Sequence, residues 1–331
     1  MTALGFNGDQ GPAATRKGIL EDSPMRWITR REFMKRSAVA TAASLSMAGL
    51  RPAWGAETRF SGTMKRTLGR CGVQCSLLGM GTGTQAWNGS SAQNRKGRKA
   101  FVSLIEHAHA SGVTYFDLAD MYGAHDYMKD AMKNTVKRED VLLLTKTVSR
   151  DPTLIKADLE RFRRELDTDY IDVVLLHCLT EPGWTEKLKP CMDALADAKS
   201  KGLIRAHGCS CHNFGAMETA ADSPWTDVLL ARINPFGIKM DAKNLTPDGK
   251  TKEVLNEQEV LDVVAVLKRA RDNGVGVLGM KIAGEGAAKD RIPESLQFVL
   301  SSGVVDALNI GVLDPGEINA NLEYVDRVRV A

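Results

Sequence analysis

The chain has 331 residues, 43% hydrophobic and 26% charged, with 30 glycines and 11 prolines; this excludes a low-complexity or collagen-like polymer and suits one large globular domain or two small ones. Its formal charge of +3 is unevenly placed: the first 56 residues hold eight of the 44 Lys/Arg and four of the 41 Asp/Glu, leaving 36 basic and 37 acidic side chains beyond them. That balance excludes a nucleic-acid footprint, and six cysteines in so long a chain imply no disulfide framework.

The first element is a targeting segment, expected over 1–56. "TRREFMK" (29–35) is a twin-arginine pattern, followed by a mild apolar run from Ser37 to Leu50 and by "RPAWGAE", with a cleavage point near Gly55 or Ala56. That is the order of regions in a signal peptide, and the run is too short for a stable membrane span. The twin-arginine translocation machinery is the partner implied, and a periplasmic or otherwise exported location follows. Residues 1–28 make an unusually long n-region, and Met25 stands as an alternative start. A protein exported in folded form matures in the reducing cytoplasm, where thiols stay reduced. A Cys71–Cys75 bond formed after export stays open.

The mature chain, 57–331, opens with "MKRTLGRCGVQCS", two short runs around a glycine turn, read as a hairpin that plugs a barrel floor. β-rich runs then follow at 76–82, 114–120, 141–146, 172–177, 204–210, 227–234, 274–280 and 305–311. Helix-period segments lie between them, such as 97–112, 151–166 and 258–274. Asp151 caps the second of these with Pro152 at its first position, and Gly274 stops the third. Eight strand-then-helix units near 30 residues apart predict an α/β protein closing into a (β/α)8 TIM barrel. A doubly wound sheet is the alternative, but "GMGTGTQ" lacks its glycine fingerprint.

In such a barrel the chemistry sits at the C-terminal strand ends. The polar residues there are Asp117, Tyr122, Lys146, His177, Ser210 and Asn234. A phenol is a weak acid near pH 7; a neighbouring ammonium lowers its pKa, and a carboxylate keeps that ammonium charged. Asp117, inside an otherwise apolar strand, suits the carboxylate. An imidazole orients a carbonyl or shares the proton transfer. Such a set protonates a carbonyl oxygen while a hydride reaches its carbon, which implies a nicotinamide cofactor.

"FDLADMYG", "LLLTK" and "DVVLLH" together resemble the Asp, Tyr, Lys, His tetrad of the aldo-keto reductases. "KRTLGRCGVQCSLLGMGT", "KGLIRAHGCS" and "SLQFVLSSGVVDALNIGVLDPGEINANL" extend the resemblance over nearly all the mature chain. It implies NAD(P)H-dependent reduction of a small-molecule carbonyl substrate without a metal. Tyr122 becomes the general acid, tuned by Lys146 and Asp117, and His177 orients the carbonyl. Ser210 falls where the family holds the nicotinamide carboxamide. Gly81 and Thr82 resemble its first cofactor loop, Gly284 and Gly286 a pyrophosphate loop, and Gly311 and Asn321 the adenosine half.

The chain departs from the family pattern in places. Cys211 replaces an Asn, and Leu230 and Ile233, flanking Arg232, replace a Gln and a stacking Tyr. Asp314 and Glu317 stand where many members carry Lys or Arg against a 2′-phosphate, which tilts the choice between NAD and NADP toward NAD. One competing reading is a nucleotide-binding or sensory barrel with negligible turnover. Another is a metal-binding barrel built on His177, Cys178, His207, Cys209, Cys211 and His212, although alternation turns Cys209 and Cys211 toward the helices. Trp87 and Trp184 fall in loops over the mouth, where they wall a pocket or pack against helices.

Overall fold

A computed structural model describes residues 58–243 and 254–330. The twin-arginine pattern, its apolar run and the cleavage point lie outside the described residues. No helix among the described residues is long and apolar enough to cross a membrane.

The predicted (β/α)8 barrel with an N-terminal hairpin is the fold. Its strands are β4 (Leu78–Gly81), β5 (Tyr115–Asp117), β6 (Leu142–Thr147), β7 (Ile171–Leu179), β8 (Ile204–Cys211), β9 (Val228–Arg232), β10 (Gly276–Met280) and β11 (Ala307–Gly311). They pair in chain order, and β11 pairs in parallel with β4 to close the ring. Helices α1 (Arg98–Ala110), α2 (His125–Asn134), α3 (Pro152–Leu166), α4 (Trp184–Lys187), α5 (Lys189–Ser200), α6 (Phe214–Asp222), α7 (Glu257–Asp272), α8 (Ile292–Ser302) and α9 (Pro315–Arg327) follow the strands.

Local chemistry sets these boundaries. Asp151 accepts from the backbone N–H groups of Thr153 and Leu154 at 2.8 and 3.1 Å, with Pro152 at the first position of α3. Asn256 and Glu259 cap α7 reciprocally, a signal the sequence reading passed over. The expected strand 76–82 divides in two. Ser76 ends the hairpin and exchanges hydrogen bonds with Thr114, so β4 starts at Leu78. The expected strand 114–120 stops at Asp117, because the chain then turns toward Tyr122.

Strands β2 (Lys65–Leu68) and β3 (Val73–Ser76) form the antiparallel hairpin. Leu68, Val73 and Cys75 join Leu142, Val173, Ala206 and Val228 in the core cluster inside the barrel. Arg70 donates to the carbonyls of Asn273, Pro224 and Thr226, and Arg66 to that of Asp306, which fastens the hairpin over the N-terminal strand ends. β1 (Thr58–Arg59) and β12 (Arg329–Val330), far apart in sequence, pair antiparallel in a separate two-stranded sheet. With the floor closed, the C-terminal strand ends are left to build a site.

Candidate active site

Strand alternation decides which side chains face the barrel axis. Tyr115, Leu142, Leu144, Val173 and Leu175 belong to the interior cluster, so Asp117, Lys146 and His177, two residues further on, point into the mouth. The structure brings them together with Tyr122. Lys146 is fully buried; its Nζ donates to Asp117 Oδ1, to the Leu118 carbonyl at 2.8 Å and to the Tyr122 hydroxyl at 3.4 Å. The same ammonium lies 4.6 Å from the Tyr122 ring centre. The Tyr122 and His177 rings meet edge to face, centroids 5.8 Å apart.

The turn that presents Tyr122 depends on two glycines. Gly123 takes φ 62°, and a β-carbon there would come within 2.2 Å of the Gly89 carbonyl. Gly83 lies under the phenol, where a β-carbon would sit 2.5 Å from the ring. Asn94 Nδ2 donates to the Tyr122 carbonyl at 3.0 Å and to that of Gly89 at 3.1 Å.

Burial governs the protonation of the group. It pushes Asp117 up and Lys146 down, and in each case the partner's charge opposes the shift. It also pushes the Tyr122 phenol well above 10, reinforced by the Asp117 carboxylate. The phenol's net shift is therefore upward, opposite to the lowering expected from Lys146, because burial outweighs the neighbouring charge. His177 is held down to about 2 by burial and then by Lys146, so its imidazole is neutral. Its Nδ1 is buried without a hydrogen-bond partner, and its carbonyl accepts from Arg150.

Asn309, absent from the sequence reading, completes the set. It lies on β11 two residues after the inward Ala307, and its Nδ2 donates to Asp117 Oδ2 at 3.0 Å and to the Tyr115 hydroxyl at 3.2 Å. Gln93 was missed as well: its buried amide nitrogen spans the carbonyls of Gly81 and Val312 at 3.1 and 3.2 Å. An amide on the inward register of a strand was a readable signal for Asn309; nothing local marks Gln93.

The residues expected to hold a cofactor divide into two groups. Thr82 is buried, and its N–H and hydroxyl both donate to the Asp117 carbonyl, at 3.1 and 2.9 Å. A β-carbon on Gly81 would approach Asn309 Oδ1 to 3.2 Å and Gly311 N to 3.3 Å, so the first and last strands meet closely there. Ser210 faces the mouth and accepts from the Cys178 N–H at 3.0 Å. After β10, Lys281, Gly284, Glu285 and Gly286 all take positive φ. Glu317 and Asn321 stand apart on α9. Asp314 accepts from the Glu317 N–H at 3.0 Å and Glu317 from the Leu313 N–H at 2.6 Å, which closes the helix start. Asn321 is buried against Met80, Ile310 and Ile318 beside a cavity of about 10 Å³.

On β9, Leu230 faces inward and so does Arg232, whose Nη1 lies 3.1 Å from Asp241 and whose Nε is buried without a partner. A β-carbon on outward-facing Gly279 would meet Ile233 at 3.1 Å, so Ile233 packs behind the strand and does not reach the mouth. Asn234 fastens the following loop through Phe236, Ile238 and Lys281. Cys209 and Cys211 are buried on the outer face with their sulfurs 3.8 Å apart, while Cys178 Sγ lies 3.9 Å from His212 Nε2. Among the described residues, no group of three or more His, Cys, Asp or Glu side chains is arranged to hold a metal ion. Trp87 is 64% exposed, whereas Trp184 is buried and donates to the Ala216 carbonyl at 3.1 Å.

The sequence model described as "Aldo/keto reductase family" matches residues 78–298. The chain belongs to the aldo/keto reductase family. Among aldo/keto reductases and related proteins it is similar to the mouse "Aldo-keto reductase family 1 member C21", 28% identical over 144 residues, 37% of this chain and 45% of that protein. It is also similar to the "Uncharacterized oxidoreductase YqkF" of Bacillus subtilis (strain 168), 28% identical over 161 residues, 44% of this chain and 48% of that protein. The chain thus spans about half the length of these two relatives. The holo form of aldo-keto reductase AKR11C1 from Bacillus halodurans shares the fold, with a TM-score of 0.62 and 17% identity over 81% of this chain and 92% of that one.

Proposed function

We propose that this protein reduces an aldehyde or ketone carbonyl with NADH or NADPH, Tyr122 giving the proton. The observation that carries this reading is the convergence of a phenol, an ammonium, a carboxylate and an imidazole at one end of the barrel. Burial keeps the phenol protonated at neutral pH. A phenol, near 10 in water, is intrinsically a stronger acid than an aliphatic hydroxyl, and water ionises near 15.7. Tyr122 therefore holds its proton until negative charge develops on the substrate oxygen, then releases it. Lys146 lies 3.4 Å from the phenol oxygen, where its charge offsets the phenolate as it forms. Asp117, steadied by Asn309 and Thr82, keeps that ammonium in place. Neutral His177 orients the carbonyl by hydrogen bonding.

A nicotinamide nucleotide fits the mouth. The orphaned His177 Nδ1 and Arg232 Nε leave polar atoms to be met there, and Gly286 has open space beside it. Ser210, Gly81, Thr82, Gly284 and Gly311 would hold the nucleotide, with Glu317 and Asn321 nearer its adenosine end; when bound it supplies the hydride. The acidic pair Asp314 and Glu317 favours NAD(H), because carboxylates repel a 2′-phosphate. A second reading, a nucleotide-binding or sensory barrel of negligible turnover, draws on Leu230 and Arg232 in the mouth.

Nicotinamide-fluorescence titration of the purified barrel with NADH and with NADPH, followed by turnover of an aromatic aldehyde or a quinone, separates the two. Binding with turnover is expected; binding without turnover favours the second reading, and no binding removes both. The twin-arginine segment leads us to place the protein in the periplasm after export as a folded chain. Replacing Arg30 and Arg31 together by Lys should hold the full chain in the cytoplasm; an unchanged distribution would count against this route.

A further inference from the structure

A charge network on the outer wall of the barrel reaches both segments that carry the proton-donating pair. Its centre is Arg161 on α3, whose Nη1 and Nη2 hold the two oxygens of Asp120 at 2.7 and 2.9 Å. Asp120 opens the short turn that ends in Tyr122. The same guanidinium reaches Asp158 at 2.9 Å and Glu165 at 3.1 Å. Each of these carboxylates continues to the strand of Lys146. Asp158 Oδ2 accepts from the hydroxyls of Thr147 at 2.5 Å and Ser149 at 2.7 Å. Glu165 Oε2 lies 2.7 Å from His125 Nδ1, and His125 Nε2 lies 2.8 Å from Thr145 Oγ1. Thr145 and Thr147 flank Lys146 and face outward where Lys146 faces in.

We propose that Arg161 is a positioning residue: it clamps the Tyr122 turn to the end of β6, fixing the phenol against the ammonium. The proposal rests on the reductase reading, with Tyr122 as proton donor. Three observations support it. The Arg161–Asp120 contact is bidentate, and a planar guanidinium fixes direction as well as distance where a lysine would not. The arginine serves three carboxylates that lead to two different segments, so its loss frees both ends of one contact. The network is also partly exposed, with Arg161 at 35% and Asp120 at 28% of the side chain. A bidentate, networked arginine is the case in which a half-exposed ion pair holds a defined geometry.

The test compares Arg161→Met, Arg161→Lys and Arg163→Met in the protein labelled at tyrosine Cζ with carbon-13, the Tyr122 signal being assigned through Tyr122→Phe. Arg163 pairs with Glu160 on the same helix and touches neither segment. Arg161→Met should shift or broaden the Tyr122 signal and lower kcat for an aromatic aldehyde about 10- to 100-fold. KM and the dinucleotide Kd should stay within about twofold. Arg161→Lys, which keeps the charge but not the fork, should stay near Arg161→Met, and Arg163→Met near the parent. If Arg161→Met does not fold, Asp120→Asn opens the clamp from its other end and should act alike. An unmoved Tyr122 signal, an unchanged kcat, full recovery with Lys, or an equal effect of Arg163→Met would each overturn the proposal. Should the parent protein reduce no carbonyl, the reductase reading falls, and the Tyr122 signal still decides whether the clamp exists.

Discussion

Two buried carboxylates at the barrel floor, Asp172 and Asp306, keep different company from Asp117 at its mouth. At the floor, Asp172 near the start of β7 accepts from Arg138 and Arg205 at 2.8 and 2.9 Å and from the Leu143 N–H at 2.9 Å. Asp306, before β11, meets Arg271 at 3.1 Å and the Val277 N–H at 2.9 Å. At the mouth, Asp117 faces Lys146, with a phenol as third party. An arginine does not give up its proton in a protein, so the floor pairs are fixed fastenings. A buried lysine and a phenol exchange protonation states readily, so the mouth group can respond to charge on a ligand. The same carboxylate chemistry thus locks Asp172 and Asp306 in place and leaves Asp117 in a group that can respond.

If that contrast holds, substitutions should separate activity from stability. The largest effect is expected for Tyr122→Phe: kcat should fall about 10²- to 10⁴-fold, while the urea midpoint barely moves. Asp172→Ala should do the reverse. It leaves the buried Leu143 N–H unpaired and takes the carboxylate from Arg138, and should cost about 1–3 kcal/mol in urea unfolding, with the activity per folded molecule retained. Asn309→Leu bridges the two behaviours. It removes the amide that steadies Asp117 and should cost about 1–3 kcal/mol, with a measurable fall in kcat and little change in KM.

The most diffuse effect, spread over several groups, is on the pH dependence of stability. Burial holds His177 and His212 down to about 2 in the mouth and His207 to about 4 near the floor. Unfolded imidazoles take up protons below about 6.5 that the folded ones refuse. Their contribution is complete above that pH and is lost progressively as pH falls toward the folded values. For His177 the slope is at most about 1.4 kcal/mol per pH unit. Asp241 opposes this: burial pushes it up to about 6, so its folded form gains stability as pH falls through that value. Burial raises Asp117 in the same direction, but three imidazoles outweigh two carboxyls, so urea midpoints should drop between about pH 6.5 and 5. A midpoint that rises over that interval would show that the histidines are solvated.

The same division appears in what the residues disclosed before folding. The barrel was legible because every strand is a short apolar run and every crossover a helix-period segment. The tetrad was legible because Asp117, Lys146 and His177 are polar residues on the inward register, where an apolar side chain is the rule. Asn309 is likewise polar on the inward register, but it stands in the middle of the eighth barrel strand, within an apolar run, and not at a strand end. Glu317 illustrates the converse. Three residues after Asp314 it fits a helix start, and it is engaged in one, so its charge toward a nucleotide is a secondary property. The reversed direction at Tyr122 was not legible at all, since desolvation depends on how the loops close over the phenol and not on which residues neighbour it in sequence.

The central claim is that Tyr122 stays protonated and gives its proton only as reduction proceeds. Single-turnover oxidation of bound NADH by an aromatic aldehyde, followed from about pH 6 to about 9, tests it most directly. The account predicts a rate flat across that range in the parent protein and nearly abolished in Tyr122→Phe. A rate that falls with a midpoint below about pH 8, or one that survives in Tyr122→Phe, would contradict it.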